Sequence, residues 1–598
     1  MRITGWRARR GARRAGRGRN DEREAAKRGG RGGYHDERRC HAGATARSPR
    51  SENIHSSGWP PEGPIEATTH AARRGAPHTS GDRSMTSHRD TYVRSASVRA
   101  IADAVNGRRV RALEQAEAAL ERLALVEPLA AMTHVAPEIA RRAAANVDAQ
   151  IASGRRLPLA IVPFVIKDNL FTADMPTRAA SPAPEIARRA AANVDAQIAS
   201  GRGWPLAGVP FVIKDNLFTA DMPTRAASPA LLGFDATRNA TAVQQLLDAG
   251  AVPLGKANMH ELAFGITSAN GYFGAVRNPH DPARIAGGSS GGTACAVAAG
   301  IAFGLGTDTG GSVRIPAAFC GVAGLRPTPR RYSTEGVLAL SPTRDTVGPI
   351  AHGIDDLLLL DAVLTGDAGE PAPVALAGLR VGVPDAPYFD GLDPAVAELT
   401  ERALAALTDA GARLIPLAAH ALHEADEACG FPIAGFEALA YWRRFSAERL
   451  DLPFAEFVAR LGSDDVRHLF RMLIDAPPSS DAYAAAIDVL QSTVRWYDQA
   501  FHRTGVDCIA LPTVQCDAPL VTDSGHDLPS DAAYALFTRV IRQTGPATLS
   551  GVPSVSIPAG LSKHTGVPVG LMLEGPAGND RRLLAIAREV ERLLARAP

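Results

Sequence analysis

Cysteine is scarce in this sequence, and no two cysteines form a CxxC pair. The six cysteines are widely scattered: Cys40, Cys295, Cys320, Cys429, Cys508 and Cys516. A disulfide framework is instead built from closely spaced cysteines in a short secreted chain. The pattern favours free thiols in a reducing compartment, so we expect a cytoplasmic protein.

Long apolar runs and several ligand-binding motifs are missing as well. The most apolar stretch, "ACAVAAGIAFGLG" at 294–306, is shorter than the roughly 20 residues that span a bilayer. No HExxH motif indicates a metal site, and no G-K-[ST] follows the glycine-rich segments, as a phosphate-binding loop would require. We therefore expect no membrane span, no metal and no cofactor.

A strong excess of one charge is absent, because the formal net charge is +2. Residues 1–84 hold 19 basic and 9 acidic residues, whereas residues 85–598 hold 46 basic and 54 acidic ones. The acidic body gives no reason to expect nucleic-acid binding. The Arg/Gly-rich start has no periodicity, so we expect residues 1–84 to be disordered and Met85 to be the natural start. The alternative is that residues 1–84 form an RNA-binding arm.

One segment of the chain is repeated in tandem. Residues 136–182 match residues 183–229 except at three positions, Arg156/Gly203, Leu157/Trp204 and Ile161/Gly208. A solenoid has several diverged units, whereas two near-identical copies indicate a recent duplication or an assembly error. One copy is then surplus.

Each copy predicts a helix, a strand that carries one lysine, and a polar loop, so Lys167 and Lys214 are equivalent. We predict that the second copy belongs to the fold. It continues without a break into "LLGFDATRNATAVQQLLDAGAVPLGKANMHELAFG", which predicts helix, strand, loop and helix. It also has Gly208 where the first copy has Ile161, and glycine suits a tight approach into the strand.

The densest chemical signal lies at 284–328, where the clusters "GGSSGG" and "GTDTGGSVRIP" flank a helix of small residues. Glycines beside a serine allow positive φ angles and close approach of a ligand to the main chain. Successive N–H groups in such a turn converge on an anion, as the oxyanion of acyl transfer requires. "GGSSG" also matches the G-x-S-x-G nucleophile elbow, but a Pro/Asp/Arg loop precedes it instead of a strand, which argues against that interpretation.

Together with "VPFVIKDN", these clusters resemble the amidase signature family. The similarity runs from about residue 95 to the C-terminus and includes "GAVPLGKANMHELAFG", "DCIALPTVQCDAP" and "GVPVGLMLEGPAGNDRRLLAIAREVE". One departure is Arg330 in "RPTPRRYSTEG", which stands where the family pattern implies glycine. The resemblance implies an α/β fold in which residues 85–598 form one large domain, a mixed β-sheet covered by helices on both faces (α/β/α).

The resemblance also implies a Ser–cis-Ser–Lys triad. Its members are the nucleophile Ser312, the bridging Ser289 after a cis peptide, and the base Lys214. The backbone N–H groups of the implied oxyanion hole belong to Thr309, Gly310, Gly311 and Ser312. Supporting roles fall to Gly288, Ser290 and Asp308. Lysine accepts a proton only when neutral, and its ordinary pKa is about 10.4, so we expect burial to lower the pKa of Lys214.

The segments "NMHELAFGITSANGYFGAVRNP" and "SVRIPAAFCGVAGLRPT" most resemble the branch that hydrolyses arylacetamides such as indoleacetamide and mandelamide. We therefore predict a hydrolase that cleaves a small carboxylic amide to an acid and ammonia through an acyl-serine. Its predicted pocket walls are Met259, Phe264 and Ile266. The resemblance is compatible with a homodimer, and the mildly acidic body and the lack of a long apolar run lead us to expect no nucleic-acid or membrane partner.

Several alternatives remain open at this point. Within the family, the chain could be the amidase subunit of a tRNA-dependent amidotransferase, or a hydrolase of carbamates or urea derivatives. Outside the family's chemistry, it could be an RNA-binding protein that uses residues 1–84, or an inactive pseudo-enzyme in which the repeat misplaces the lysine.

Overall fold

A computed structural model describes residues 96–153, 204–523 and 530–596. The Arg/Gly-rich extension 1–84, Met85 and Lys167 lie outside these ranges. By its internal contacts the chain from Ser84 to Pro598 forms one unit. The described part of this unit contains all the elements discussed below.

Eleven strands of the described ranges form one mixed sheet. In chain order they are β1 (Met132–Val135), β2 (Pro210–Lys214), β3 (Val252–Ala257), β4 (Phe303–Asp308), β5 (Ala323–Arg326), β6 (Thr346–Ala351), β7 (Arg380–Pro384), β8 (Arg413–Leu417), β9 (Cys508–Pro512), β10 (Ser554–Leu561) and β11 (Pro568–Glu574). They pair in the order β1-β3-β2-β4-β6-β5-β10-β11-β9-β7-β8. β2 is parallel to β3 and β4, β7 is parallel to β8 and β9, and the remaining pairs are antiparallel.

The α-helices of the described ranges surround this sheet. They are α1 (Val98–Asn106), α2 (Ala112–Leu125), α3 (Pro137–Ala152), α4 (Thr241–Asp248), α5 (Gly291–Ala298), α6 (Arg314–Cys320), α7 (Ile354–Thr365), α8 (Pro394–Asp409), α9 (His420–Leu450), α10 (Phe454–Ala459), α11 (Asp464–Asp475), α12 (Ser480–Asp498), α13 (Ser530–Ile541), α14 (Gly545–Ser550) and α15 (Asp580–Leu594).

The side chains of β2 show how the sheet is covered on both faces. Phe211 and Ile213 join a core cluster that includes α1, α4, α7 and α15. Val212 between them points the other way, into a cluster that includes α2, α3, α5 and α6. Successive strand residues face opposite sides of a sheet, so an almost entirely apolar strand is typical of one buried on both faces. The predicted α/β/α architecture is confirmed.

Each copy of the repeat contributes one element to the described part of the fold. Helix α3 comes from the first copy, whereas β2 comes from the second. The second copy contributes a strand to the sheet, as the sequence analysis expects, and the first copy contributes a helix. The equivalent strand segment 163–167 and helix segment 184–199 lie outside the described residues. Helix α3 follows β1 directly along the chain, because β1 ends at Val135 and α3 begins at Pro137, where proline is favoured in the first turn.

Gly208 accounts for the choice of strand. Its φ is +67°, in the region that favours glycine over β-branched residues. A Cβ atom there would lie 2.8 Å from the Ala112 Cβ and 2.9 Å from the Ala112 Cα, at the start of α2. The first copy has Ile161 at the equivalent position, so its strand cannot take the same path without displacing α2.

Removing one copy should preserve the fold and the predicted hydrolase activity, provided that Gly208 is kept. Deletion of residues 154–200 would join Ser153 to Trp204 through three residues. The two ends lie close together, because Arg108 donates to the Ile151 carbonyl oxygen and Asn106 bonds to the backbone of Trp204. We expect kcat/KM to stay within about twofold and the free energy of unfolding to rise by up to roughly 2 kcal/mol, because a long connection is shortened. Enzyme kinetics and urea unfolding measure both.

The matched control is deletion of residues 162–208, which removes the same number of residues but leaves Ile161 before Val209. This protein should be destabilised by roughly 3 kcal/mol or more, because isoleucine is strained at a positive φ and clashes with α2. Equal stability of the two deletion proteins would contradict the role given to Gly208.

Arg330 occupies a left-handed backbone conformation, with φ +67°. This is the position at which the family pattern implied glycine, and the conformation is one that glycine adopts at little cost. The departure identified in the sequence therefore places a residue other than glycine in a locally unfavourable backbone conformation.

Three further features concern the predicted cysteine chemistry, metals and membranes. The five cysteines of the described ranges are buried free thiols. Within the same ranges, no three His, Cys, Asp or Glu side chains come together as candidate metal ligands. No helix there combines the length and the apolar character needed to cross a bilayer.

Candidate active site

Lys214 lies at the end of β2 and is fully buried. Its Nζ atom is 2.8 Å from the Ser289 Oγ. It is also 2.7 Å from the Thr307 Oγ1 and 3.3 Å from the Thr307 carbonyl oxygen. The predicted base and the predicted bridging serine are therefore in direct contact, and Thr307, which the sequence analysis did not single out, orients the lysine.

Burial lowers the pKa of Lys214 to about 7, although the negative charges of Asp308 and Asp345 oppose this shift. A substantial fraction of the lysine is then neutral near pH 7. A neutral amine has two N–H donors and one lone pair. If Thr307 accepts both hydrogens, the lone pair faces the Ser289 hydroxyl, which can donate its proton to Nζ.

Ser289 and Ser290 lie immediately before α5. Hydrogen bonds of Ser290 link this segment to β4 and to the glycine–serine cluster that contains Ser312. The Gly288–Ser289 peptide bond is cis, as the resemblance implied. The Ser290 N–H donates to the carbonyl oxygen of Ser312 (3.1 Å), and the Ser290 hydroxyl donates to the Thr307 carbonyl oxygen (3.2 Å). Ser290 thus joins the two glycine–serine clusters through hydrogen bonds.

Ser312 lies in the turn between β4 and α6 and retains a small exposed surface, 6%. Its hydroxyl has no hydrogen-bond partner among the described residues, so no described protein group competes for its proton. Within the described residues, the Ser289 and Ser312 hydroxyls make no direct hydrogen bond to each other. The two serine segments are linked instead by the hydrogen bond from the Ser290 N–H to the Ser312 carbonyl oxygen.

Asp308 shapes this turn. Its carboxylate accepts the N–H groups of Gly311 and Val313 at 2.8 and 3.1 Å, and it binds the buried Arg314 and Arg326 at 3.0 and 3.3 Å. Burial alone would raise the pKa of Asp308, but the two guanidinium groups outweigh it and hold the pKa well below its ordinary value. The predicted supporting role of Asp308 has a clear geometric basis.

The predicted oxyanion hole needs one correction. Each amide has a single hydrogen, and the N–H of Gly311 donates to Asp308, so it is not available to an oxyanion. The N–H groups of Thr309, Gly310 and Ser312 make no hydrogen bond to another described residue. The sequence prediction of four donors is therefore reduced to three.

Residues distant in sequence hold the same turn from outside. The Thr309 hydroxyl donates to Asp345 at 2.5 Å, and the Thr544 hydroxyl donates to the Gly310 carbonyl oxygen at 2.6 Å. Gly311 has φ +132°, and a Cβ there would lie 2.3 Å from the Thr544 Oγ1. Asp345 and Thr544 lie outside both glycine–serine clusters, so no local pattern pointed to them.

The three predicted pocket walls lie in different environments. Met259 has no exposed surface and packs in the main core, so it is a core residue and the prediction for it is corrected. Phe264 is partly buried and packs edge-on against Phe470, with ring centroids 5.0 Å apart. Ile266 belongs to an apolar cluster with Ile315 and Ile541. A Cβ on Gly310 would lie 2.8 Å from the Ile541 Cδ1, so this cluster adjoins the turn that carries Ser312.

Comparison with known proteins adds independent information. A family model described as Amidase matches residues 114–186 and 179–584. The mandelamide hydrolase of Pseudomonas putida is 39% identical over 514 residues, which cover 83% of this chain and 90% of that protein. The indoleacetamide hydrolase of Agrobacterium vitis is 36% identical over 355 residues, which cover 59% of this chain and 76% of that protein.

Two further matches place these relatives in context. One component of the glutamyl-tRNA(Gln) amidotransferase of Chloroflexus aurantiacus is a weaker match, 31% identical over 512 residues that cover 81% of this chain and 93% of that protein. A crystal structure of an amidase superimposes with a TM-score of 0.66 at 29% identity, covering 83% of this chain and 99% of that one.

Proposed function

Because this chain belongs to the amidase family and is a hydrolase of carbon–nitrogen bonds in linear amides, we propose that it acts on a small arylacetamide-type amide through an acyl intermediate on Ser312. The products are the carboxylic acid and ammonia. The observation that carries this proposal is the 2.8 Å contact between the Lys214 Nζ and the Ser289 Oγ, in a buried environment that lowers the pKa of the lysine to about 7.

In the proposed reaction, neutral Lys214 takes the proton of the Ser289 hydroxyl while Ser289 takes the proton of Ser312. The Ser312 Oγ bonds to the amide carbon, and the carbonyl electron pair moves onto oxygen. The intermediate then collapses, the C–N bond breaks, and the proton passes back along the relay to the leaving nitrogen, so ammonia departs. Water attacks the acyl-serine through the same relay, which releases the acid and restores Ser312.

The N–H groups of Thr309, Gly310 and Ser312 receive the negative charge that develops on the carbonyl oxygen. Donors that are held in place before the reaction stabilise such a charge without having to reorganise. Asp308 holds this turn in place, because its carboxylate accepts the N–H groups of Gly311 and Val313. Asp308, Arg314 and Arg326 are therefore positioning residues in this proposal.

The choice of an arylacetamide rests on two kinds of support. The apolar cluster of Ile266, Ile315 and Ile541 adjoins the Ser312 turn, which suits an apolar acyl group. The mandelamide and indoleacetamide hydrolases are also the more similar relatives, whereas the amidotransferase component is a weaker match. Among the alternatives within the family, the amidotransferase interpretation is therefore less well supported.

The proposal is tested by ammonia release from purified enzyme with phenylacetamide, mandelamide, indole-3-acetamide, glutamine and biuret. Turnover of one or more arylacetamides, with glutamine and biuret at least about tenfold poorer in kcat/KM, is the expected result; ten times corresponds to about 1.4 kcal/mol of transition-state discrimination. Hydrolysis of glutamine or biuret with none of the arylacetamides would overturn the substrate assignment.

The activity should depend on pH in a direction set by Lys214. The active form is the neutral base, so kcat/KM should rise with pH through about 7 and then reach a plateau. Asp345 opposes the lowering of this pKa, so Asp345→Asn should move the rising limb to lower pH. A pH profile of kcat/KM for both proteins measures this, and a limb that moves to higher pH in the variant would contradict the assignment of Lys214 as the base.

We also propose a cytoplasmic location and a homodimer, with residues 85–598 as the amidase domain and the repeat as a tandem duplication. The buried free thiols support the location, and the near-identity of the copies supports the duplication. The homodimer rests on the family resemblance alone and is checked by light scattering coupled to size-exclusion chromatography.

A further inference from the structure

Arg344 carries a buried guanidinium group beside the turn that holds Ser312. It is 7% exposed, and its Nη1 donates to the carbonyl oxygen of Gly430 at 2.6 Å. Its Nε is buried without a hydrogen-bond partner. Among the described residues, no carboxylate lies within 4.0 Å of this guanidinium. Arg344 is therefore a buried cation with unused donors.

The other buried arginines of this region are paired. Arg314 and Arg326 both bind the carboxylate of Asp308, and the partly buried Arg331 binds Asp361 at 2.7 Å. Removing a charge from water is costly unless it gains a partner. Since Arg344 lacks such a contact in the described protein, its partner is expected to come from a bound molecule.

The position of Arg344 indicates where that molecule lies. A Cβ atom on Gly310 would be 4.0 Å from the Arg344 Nη2 and 2.8 Å from the Ile541 Cδ1. The guanidinium and the isoleucine methyl group therefore flank the same glycine of the oxyanion turn. For a substrate whose carbonyl oxygen is bound by that turn, we expect the next carbon atom to lie near both groups.

The charge around Arg344 narrows the chemistry of its partner. Asp426, Glu437 and Asp345 act on it electrostatically from beyond contact distance, so the positive charge is partly balanced and a neutral acceptor oxygen is sufficient. A guanidinium has only donors and repels a substituent that is itself a cation. An amino group beside the carbonyl, as in amino-acid amides, is therefore disfavoured.

We propose that Arg344 determines substrate preference by donating a hydrogen bond to an oxygen on the carbon atom next to the amide carbonyl, so that 2-hydroxy arylacetamides are preferred. This inference rests on the proposed function. Ile541 contacts the apolar part of the same substrate, and Arg344 donates a hydrogen bond to its hydroxyl group. Such pairing of one polar donor with an apolar wall is typical of small-molecule sites.

The test compares phenylacetamide with mandelamide, two amides that differ by one hydroxyl group. In the full-length parent enzyme, mandelamide should have the higher kcat/KM. In Arg344→Met, kcat/KM for mandelamide should fall by about tenfold to hundredfold, while that for phenylacetamide changes by less than about threefold. Arg344→Lys, which keeps the charge, should recover part of the preference.

The control is Arg331→Met, which removes an arginine that contacts Asp361 and Asp580 instead of the Ser312 turn. Its ratio of the two kcat/KM values should equal that of the parent. Inhibition by mandelate and phenylacetate provides a second measurement that needs little activity, because Arg344→Met should bind mandelate more weakly but phenylacetate to a similar extent.

The outcomes separate the two proposals. Equal losses on both substrates, with an unchanged ratio, would mean that Arg344 is only structural and would overturn this inference while leaving the proposed function intact. A parent enzyme that hydrolyses neither arylacetamide would overturn the proposed function and this inference with it. A loss confined to the hydroxylated substrate supports both.

Discussion

Replacing Ser312 by alanine is expected to lower kcat/KM on the substrate of the parent enzyme by about 10⁴-fold or more. The proposed reaction needs the Ser312 Oγ to form the acyl bond, and water in its place would lack both the fixed position and the adjacent relay. The hydroxyl has no hydrogen-bond partner in the described protein, so its removal leaves no buried group unsatisfied. Ammonia release under saturating and subsaturating substrate measures the loss.

The fold of Ser312→Ala should be unchanged, with a melting temperature within about 2 °C of the parent, because the Ser312 hydroxyl makes no hydrogen bond in the described protein and its removal leaves the backbone bond to Ser290 in place. A fluorophosphonate probe should label the parent on Ser312 and leave the variant unlabelled. Retention of more than about a hundredth of the activity would show that another group is the nucleophile.

The second large effect concerns the two equivalent lysines. Lys214→Met should lower kcat by about 10³-fold, because general-base catalysis of this kind contributes about 10² to 10⁴. Methionine keeps much of the side-chain volume in the buried site, but the Thr307 carbonyl oxygen and the Ser289 hydroxyl lose their partner. A loss of about 1–3 kcal/mol in the free energy of unfolding is expected to accompany the loss of activity.

Lys167→Met is the matched control, because both lysines sit in the identical segment "FVIKDNLFTADMPTRAASPA". It should keep parental kcat/KM and parental stability. If Lys167→Met were instead the inactive variant, the strand assignment would be wrong for the working enzyme. If both variants lost activity partially, the two copies would exchange in solution.

Much of the site could be predicted because its chemical groups lie in short continuous motifs. Ser289, Ser312 and Lys214 each sit in a distinctive segment, and the structure brings Lys214 and Ser289 into contact. Thr307 lies in the same motif as Ser312, and the orientation of its hydroxyl toward Lys214 depends on the register of β4 against β2. That register follows from tertiary packing and could not be read from the motif.

Other residues of the site could not have been found from local patterns. Asp345 and Thr544 reach the Ser312 turn from far along the chain, and no spacing rule connects them to it. The error over Gly311 has a similar origin, because the availability of its N–H depends on where the Asp308 side chain points. A glycine-rich sequence indicates that a backbone can bind an anion, but it does not specify which amides are already used.

The repeat shows the same limit in a simpler form. The helices of the two copies are identical in sequence, so no local property could decide which one is used. The strands could be distinguished, because one copy has glycine and the other isoleucine at the position where φ is +67°. The sequence therefore favours one copy only at the strand, where the two copies differ, whereas α3 is the helix that follows β1 directly along the chain.

Adjacent residues of β4 hold the two halves of the proposed site. Thr307 contacts Lys214 on one side of the strand, and Asp308 fixes the Ser312 turn from the other. The base and the oxyanion donors are therefore anchored to neighbouring peptide units in the middle of an eleven-stranded sheet. Thermal motion should displace the base and the oxyanion donors together as one rigid body. Heating, or loosening of the peripheral helices, should therefore alter substrate entry and affinity well before either change alters the activation barrier of the chemical step.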